Sequence, residues 1–409
     1  MTNKGNNKAA NTNFIEFDTN DGRDKQKNIV KDIEYVRASQ IQSNWKGHKV
    51  RTMVKRQDFE SKCPGMIITS DEDIIKKNPT ILEIENQLGP FLENINKINN
   101  TNDSNPNTNN SSIYQYSVLY PDNSIYIGTF NEDWQKEGYG ILYLPDGSKY
   151  TGYFNDDKFN GRGRIIYIDG DYYEGNFTNN KYNGYGKFVK RKEGITYRGE
   201  FVNEIKSGEG EEIRKDGSTY IGSFSNDMKH GKGKFIWPDG TEYEGSLNND
   251  IMTGIGRIRF TDGKLYLGEW KANKMEGKGV FYWPDNKRYI GFYKSDKKNG
   301  FGIFRFDNGK KYQGYWLNGK QHGFGQCILN GKSRIGEWRF GKKIRWMDNN
   351  NDGVANNNQE ENLKLIIDDI NNKVEECLEF CNNLGIRNID DENFENLMLR
   401  INMWNSMRS

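Results

Sequence analysis

The chain has 409 residues, enough for two or three ordinary domains. Hydrophobic residues make up 34%, against roughly 45–50% in a typical globular domain, which excludes a thick apolar core along the whole length. Aromatics reach 13%, which excludes a simply disordered chain, and 45 glycines against 8 prolines predict thin β-rich repeats. No apolar run approaches the ~20 residues of a membrane span. The polar start with Thr2 predicts neither a signal peptide nor a myristoyl anchor. Four cysteines without CxxC spacing predict reduced thiols in the cytoplasm.

The net charge of +2 hides an asymmetry. Residues 221–347 carry 24 Lys and Arg against 12 Asp and Glu, or +12; residues 348–409 carry 5 against 13, or −8. A basic half beside an acidic tail predicts an anionic partner for the former, or a tail that folds back on the chain.

In chain order, residues 1–28 are Asn-, Lys- and Asp-rich and predict disorder. Residues 29–62 predict a basic helix, with ten basic and four acidic side chains over 25–62. Ile41-Gln42-Ser-Asn-Trp45-Lys46-Gly47-His48-Lys-Val50-Arg51 fills every defining position of an IQ motif, which it resembles. That resemblance implies a helix gripped by calmodulin or a centrin-like EF-hand protein. Ile41, Trp45 and Val50 would face a lobe, with Lys46 and Arg51 meeting its acidic rim. The alternative is a plain amphipathic basic helix on another protein.

Residues 63–98 hold Ile81, Ile84, Leu88, Phe91, Ile95 and Ile98 at helical spacing, with Pro79 at the first helical position and Gly89-Pro90 as a break. Residues 99–112 read as an Asn-rich linker.

From 113 to 346 a Y-x-G-x-[FWY] segment recurs every 23 residues, or 24 in two places: Tyr126-Ile-Gly128-Thr-Phe130, Tyr197-Arg-Gly199-Glu-Phe201, Tyr266-Leu-Gly268-Glu-Trp270 and their equivalents. A G-x-G pair follows, as at Gly231-Lys-Gly233, and then a turn such as Asp239-Gly240. A fixed period near 23 signals stacked supersecondary units. Tyr, Gly and the ring share one face of a strand, and the bare glycine leaves room for a neighbouring ring. Two strands per unit over about nine and a half units predict about 19 strands, roughly 90 Å of sheet. The pattern resembles the MORN repeat family. The fold it implies is all-β: an elongated single-layer antiparallel sheet of stacked β-hairpins flanked by N- and C-terminal α-helices. The family includes radial spoke head components of motile cilia, membrane-tethering junctophilins and basal-complex proteins of protists.

Residues 347–359 form a second linker, and 360–408 a helical tail. Leu363, Ile366, Ile367, Ile370, Val374, Leu378, Cys381 and Leu384 mark one helix that Gly385 stops; a second starts near Asp390 and includes Trp404. The charge asymmetry predicts this tail on the aromatic-lined trough of residues 221–347, with Leu363, Ile370, Val374 and Trp404 as anchors. The alternative is a tail that grips another subunit.

Nothing reads as an active site. The G-x-G pairs belong to the repeat and no phosphate-loop motif appears. His230 and His322 share one turn slot four repeats apart, too far to share a metal, and are expected in solvent. Cys377 and Cys381 lack partners for a metal site. The expectation is a non-enzyme without cofactor or metal. It reads as a scaffold of the ciliary axoneme or another cytoskeletal complex, binding partners through the trough and the tail helices. Lys294, Lys297, Lys298, Lys310, Lys311, Lys342, Lys343 and Arg345 suggest an anionic lipid or acidic partner instead, making the protein a peripheral tether; a regulatory subunit of a separate enzyme is a third reading. Nucleic acid is not expected, because the aromatics belong to the ladder.

Overall fold

The computed structural model describes residues 65–68, 79–89, 91, 114–347 and 357–386. The chain divides into two units, Met1–Ile67 and Ile68–Ser409, and every element below lies in the second. The candidate IQ residues Ile41, Gln42, Trp45, Lys46, Gly47 and Arg51 lie outside the described residues, as do Trp404 and the second tail helix.

A single open antiparallel sheet of 21 strands runs from Tyr114–Leu119 to Lys342–Trp346, each strand paired with the next. The count exceeds the expected 19 because the irregular last unit still forms a full hairpin, Lys332–Arg339 with Lys342–Trp346.

Two kinds of turn alternate along most of the sheet. The first closes over three residues. Leu144 N–H donates to the Ser148 carbonyl at 2.8 Å, and Asp146 accepts from the Ser148 N–H at 2.9 Å. Gly147 takes the left-handed seat at φ 91°, the pattern of a type I turn followed by an αL residue. Asn123 and Asn286 fill that seat where glycine is missing, at φ 68° and 62°. The second kind holds two residues, both at positive φ, such as Asn226 at 51° and Asp227 at 66°, which is a type I′ hairpin.

This second loop also clips one unit to the unit before it. Asp250 N–H donates to the Lys229 carbonyl at 2.8 Å, while its carboxylate accepts from the Lys229 N–H at 3.0 Å. Asp157 with Lys136, Asn180 with Phe159, and Asp296 with Met275 repeat the clip.

Among the described residues, two helices pack on the sheet. Helix α1, Pro79–Leu88, begins at its proline and ends where Gly89 turns to φ 74° and donates to the Glu85 carbonyl at 2.8 Å. Helix α2, Asn357–Asn383, closes with Gly385 at φ 80°; Ile386 N–H reaches the Cys381 carbonyl and Gly385 N–H the Asn382 carbonyl, each at 2.9 Å, a Schellman cap. Leu378, expected in the buried stripe, is 39% exposed, and Cys377 is buried in its place. One residue is about 100° of helix rotation, so the buried stripe through Ile370, Cys377, Cys381 and Leu384 leaves Leu378 to the side.

Candidate interaction surface

Side chains alternate along each strand, so the sheet has two chemically distinct faces. On the first, the repeat tyrosines Tyr126 through Tyr312 are fully buried. Each ring lies across the glycine pair of its own hairpin; a Cβ built on Gly210 would sit 2.5 Å from the Tyr197 hydroxyl. The hydroxyl donates to the carbonyl three residues on, from Tyr243 to Ser246 at 2.9 Å. Burial pushes these phenols above their ordinary range. Rings of successive units meet edge to face: Tyr197 lies 5.0 Å from Phe201 in its own unit and 5.0 Å from Phe224 in the next. This is the geometry that ring quadrupoles favour.

One unit breaks the apolar run. Glu212, 5% exposed, lies on this face between Lys206 at 2.6 Å, Arg214 at 3.0 Å and Lys229 at 3.5 Å. Burial alone would raise its carboxyl, but hydrogen bonds and charge from Lys206, Lys229 and Arg214 hold it down at about 2. Beyond it, Phe235 and Trp237, Phe281 and Trp283, and Phe304 and Phe306 pair at ring separations of 4.7, 4.4 and 4.6 Å along the edge of the ladder. Neither described helix covers this row, because both lie on the other face.

That placement corrects the expected tail position. Helix α2 does lie on the second half of the sheet, from Ile255 to Ile335 and Met347, and Ile370, Leu363 and Val374 do anchor it, but on the face away from the tyrosine ladder. Its floor is Leu265 and Leu267, which flank Tyr266 in sequence and so point the opposite way, with Val280, Ile290 and Ile303. Glu376 pairs with Lys278 at 2.9 Å, and Tyr315 donates to Asp369 at 2.6 Å. Cys377 and Cys381 are sealed beneath the helix, and burial pushes both thiols up to about 12. Helix α1 sits on the same face further back. Its Ile81 and Ile84 cover Ile166 and Tyr172, Glu85 pairs with Lys149, and Arg164 donates to the Gly89 carbonyl at 2.9 Å. The stretch between the helices is polar, with an Arg198–Glu211 pair at 2.9 Å and Ile221 48% exposed.

The eight basic residues singled out in the sequence do not form one patch. Lys294, Lys297 and Lys342 are exposed beside the two-residue loops, at one end of the strands. Lys310 and Lys311 flank the three-residue turn at the other end, a strand length or about 25 Å away. Lys343 lies 4.3 Å over the Trp346 ring, Arg345 pairs with Glu337 at 2.9 Å, and Lys298 turns inward among aromatic rings. In the basic half, 221–347, the loop end carries three further exposed lysines that the sequence reading missed: Lys271, Lys274 and Lys320. Their signal is positional, since each flanks the same loop in its own unit.

His230 and His322 are half-buried rather than in solvent; His230 lies 3.2 Å from Asn249, and His322 packs 4.9 Å from Phe340. Among the described residues, no cluster of His, Cys, Asp or Glu has the arrangement of a metal site, and no helix is long and apolar enough to cross a membrane.

No curated protein matches the sequence. Among solved structures, the chain is similar to the SAS-4 (dCPAP) TCP domain in complex with a proline-rich motif of Ana2 from Drosophila melanogaster, at 15% identity over 44% of this chain and 90% of that one, TM-score 0.26. It is similar to the CPAP G-box domain at 10% identity over 55% and 100%, TM-score 0.24. It is also similar to a point mutant of the TCP10 domain of Danio rerio CPAP at 14% identity over 56% and 97%, TM-score 0.21. The MORN repeat model matches nine successive segments, from 126–149 to 312–333. Those segments are the hairpins whose tyrosine, glycine pair and ring build the buried ladder, and the chain belongs to the MORN repeat family, which is generally non-catalytic.

Proposed function

We propose that this protein is a non-catalytic scaffold that holds a cytoskeletal assembly together, the ciliary axoneme being the setting the repeat family and the IQ-like segment favour. One observation carries the reading: both described helices pack on one face of the sheet, and among the described residues nothing packs over the row from Phe235 to Phe306 on the other face, which suits it to a partner. Rigid antiparallel repeats present such a row at fixed spacing, which suits a structural contact better than turnover. The Ile41–Arg51 segment adds a calmodulin or centrin-like EF-hand partner.

Two measurements test this. A peptide spanning Val30–Gln57 should bind calmodulin by calorimetry, and replacing Ile41 and Gln42 should weaken binding by roughly 2–4 kcal/mol. Absence of binding with and without calcium sinks the calmodulin arm. The full chain should co-fractionate with axonemes or microtubules.

A second reading, a peripheral tether on anionic lipid, is favoured by the lysines at the loop ends, Lys271, Lys274, Lys294, Lys297, Lys320 and Lys342. Flotation with phosphatidylserine vesicles, lost at high salt and in a variant with these lysines replaced by glutamine, would move the conclusion to the membrane.

A further inference from the structure

In each hairpin, one residue near the start of the second strand faces the ladder ring of the first. That slot holds a lysine five times: Lys136 opposite Phe130, Lys206 opposite Phe201, Lys229 opposite Phe224, Lys298 opposite Tyr293 and Lys343 opposite Trp338. Lys343, in the last hairpin, is exposed. Three of the other four are neutralised. Lys136 pairs with Asp157 at 3.0 Å, Lys206 with Glu212 at 2.6 Å, and Lys229 with Glu212 and Asp250, both at 3.5 Å.

The carboxylates come from three relative positions. Glu212 lies 6 residues beyond Lys206 on the same strand and 17 before Lys229; Asp157 and Asp250 lie 21 residues beyond their lysines, in the loop that clips the next hairpin. For Lys298 those positions are Phe304, Phe281 and Gly319. Gly319 keeps the backbone half of the clip, donating to the Lys298 carbonyl at 2.8 Å, but brings no acid. Among the described residues Lys298 has no ion pair. Its nitrogen lies 4.3 Å from the ring centroid of Phe304, 4.7 Å from Trp316, and 5.1 Å from both Trp283 and Tyr289.

We propose that Lys298 is a nucleophilic-amine site that takes an aldehyde as an imine, with aromatic aldehydes favoured by the surrounding rings. Three features support it. Lys298 is half-buried, not sealed, and it lies on the face that neither described helix covers. Burial without a counter-ion pushes it down to about 8, which leaves a substantial neutral fraction near neutral pH, the usual route to a reactive lysine. The walls offer ring faces on which an aromatic carbonyl compound stacks. The nitrogen lone pair attacks the carbonyl carbon, forming the C–N bond. The two amine protons and the carbonyl oxygen then leave as water, giving Lys–N=CH–R with no oxidant or reductant.

An opposing force sets the test. Ring faces also attract the protonated amine, so four rings favour the unreactive cation. Full-length protein is exposed briefly to benzaldehyde over pH 6.5 to 10, the imine is trapped with cyanoborohydride, and occupancy is read by peptide mass spectrometry. The expected result is that Lys298 labels at least roughly tenfold faster than the exposed Lys297 at pH 7.5, since each unit of lowered pKa is worth up to tenfold in neutral amine. Its rate should reach half-maximum near pH 8. Labelling no faster than Lys297, or a midpoint near pH 10, overturns the proposal. Gly319→Asp restores the missing acid in a loop where Asp296 already takes the same backbone turn, at φ 66°. It should slow Lys298 labelling about tenfold while Lys297 is unchanged. Unchanged labelling at Lys298 in that variant equally overturns the proposal.

Discussion

The hydroxyl of Tyr197 donates to the carbonyl of Glu200 at 3.1 Å, and to reach it the ring must cross the bare backbone of Gly199 and Gly210. The glycine pair and the tyrosine are therefore one device: the hydrogen bond fixes the ring, and the missing side chains make room for it.

A first prediction follows at Gly199. An added Cβ would sit 2.5 Å from the Tyr197 hydroxyl and 2.6 Å from Gly210 Cα, so the ring or the strand must shift. Gly199→Ala should cost at least ~1–3 kcal/mol, the range for overpacking. In the last unit Gly336→Ala meets Trp338 at 2.8 Å and the Arg345 carbonyl at 3.0 Å, with one strand beyond, and should cost less. Urea melts of both variants check the order; equal losses would contradict a stack in which inner units hold two neighbours.

A second concerns acid. Glu212 titrates at about 2 in the fold, below its ordinary 4.5. A depressed carboxyl stabilises the fold above pH 4.5, and that contribution is lost as pH falls through about 2. Glu212→Gln leaves Lys206, Arg214 and Lys229 crowded without their acid, and should cost roughly 3 kcal/mol at pH 7. The gap between wild type and variant should close between pH 4.5 and 2. Denaturation at a series of pH values measures it, and a gap independent of pH would show that Glu212 acts by packing alone.

A third concerns the tail helix. Ile370 is 1% exposed beneath α2, in the cluster that seals Cys377 and Cys381. Ile370→Asp should lift the helix and expose both thiols. In the wild type these should resist an aromatic disulfide reagent, and in the variant they should react at the rate of a free thiol. Backbone amides over 251–317 should exchange faster in the variant, while Tyr126 through Tyr220 keep their protection. Unchanged thiol reactivity would mean that α2 holds by other contacts.

The repeat was legible because its constraints are local. A ring two residues from a glycine, on one strand face, is readable from alternation alone. The type I′ loops were not, since Ala272-Asn273 and Ser295-Asp296 hold both residues at positive φ without glycine. The choice of face for α2 was misread for a different reason. The ladder rings look like an open apolar trough in sequence, yet they satisfy one another edge to face. The signal for the true site lies one residue after each tyrosine: Thr151, Glu174 and Arg198 occupy the position that becomes Leu267 and Ile290 under α2. Likewise Lys298 read as one of a basic cluster. Only strand register shows that it faces rings, and that its acid positions hold Phe281, Phe304 and Gly319.

A fourth prediction separates those lysines by their charge balance. Lys298 has its amine lowered from 10.5 to about 8 by burial, so the fold disfavours its charged form. For a depressed lysine the cost is present below pH 8 and disappears as pH rises through 10.5, where the unfolded chain also loses its proton. Lys298→Met removes that cost and keeps a flexible apolar chain for the rings, as Met252 and Met275 do in the same slot. It should raise stability at pH 7 by about 1–2 kcal/mol, less than the full value of the shift because the rings already attract the ammonium. The gain should vanish near pH 10.5. Lys229→Met is the matched control: it strips Glu212 and Asp250 of a cation and should lower stability at pH 7. Guanidinium melts of the two variants at pH 7 and pH 10.5 give four numbers. If both are destabilised alike at neutral pH, the rings serve Lys298 as fully as the carboxylates serve Lys229, and the amine is held as a cation.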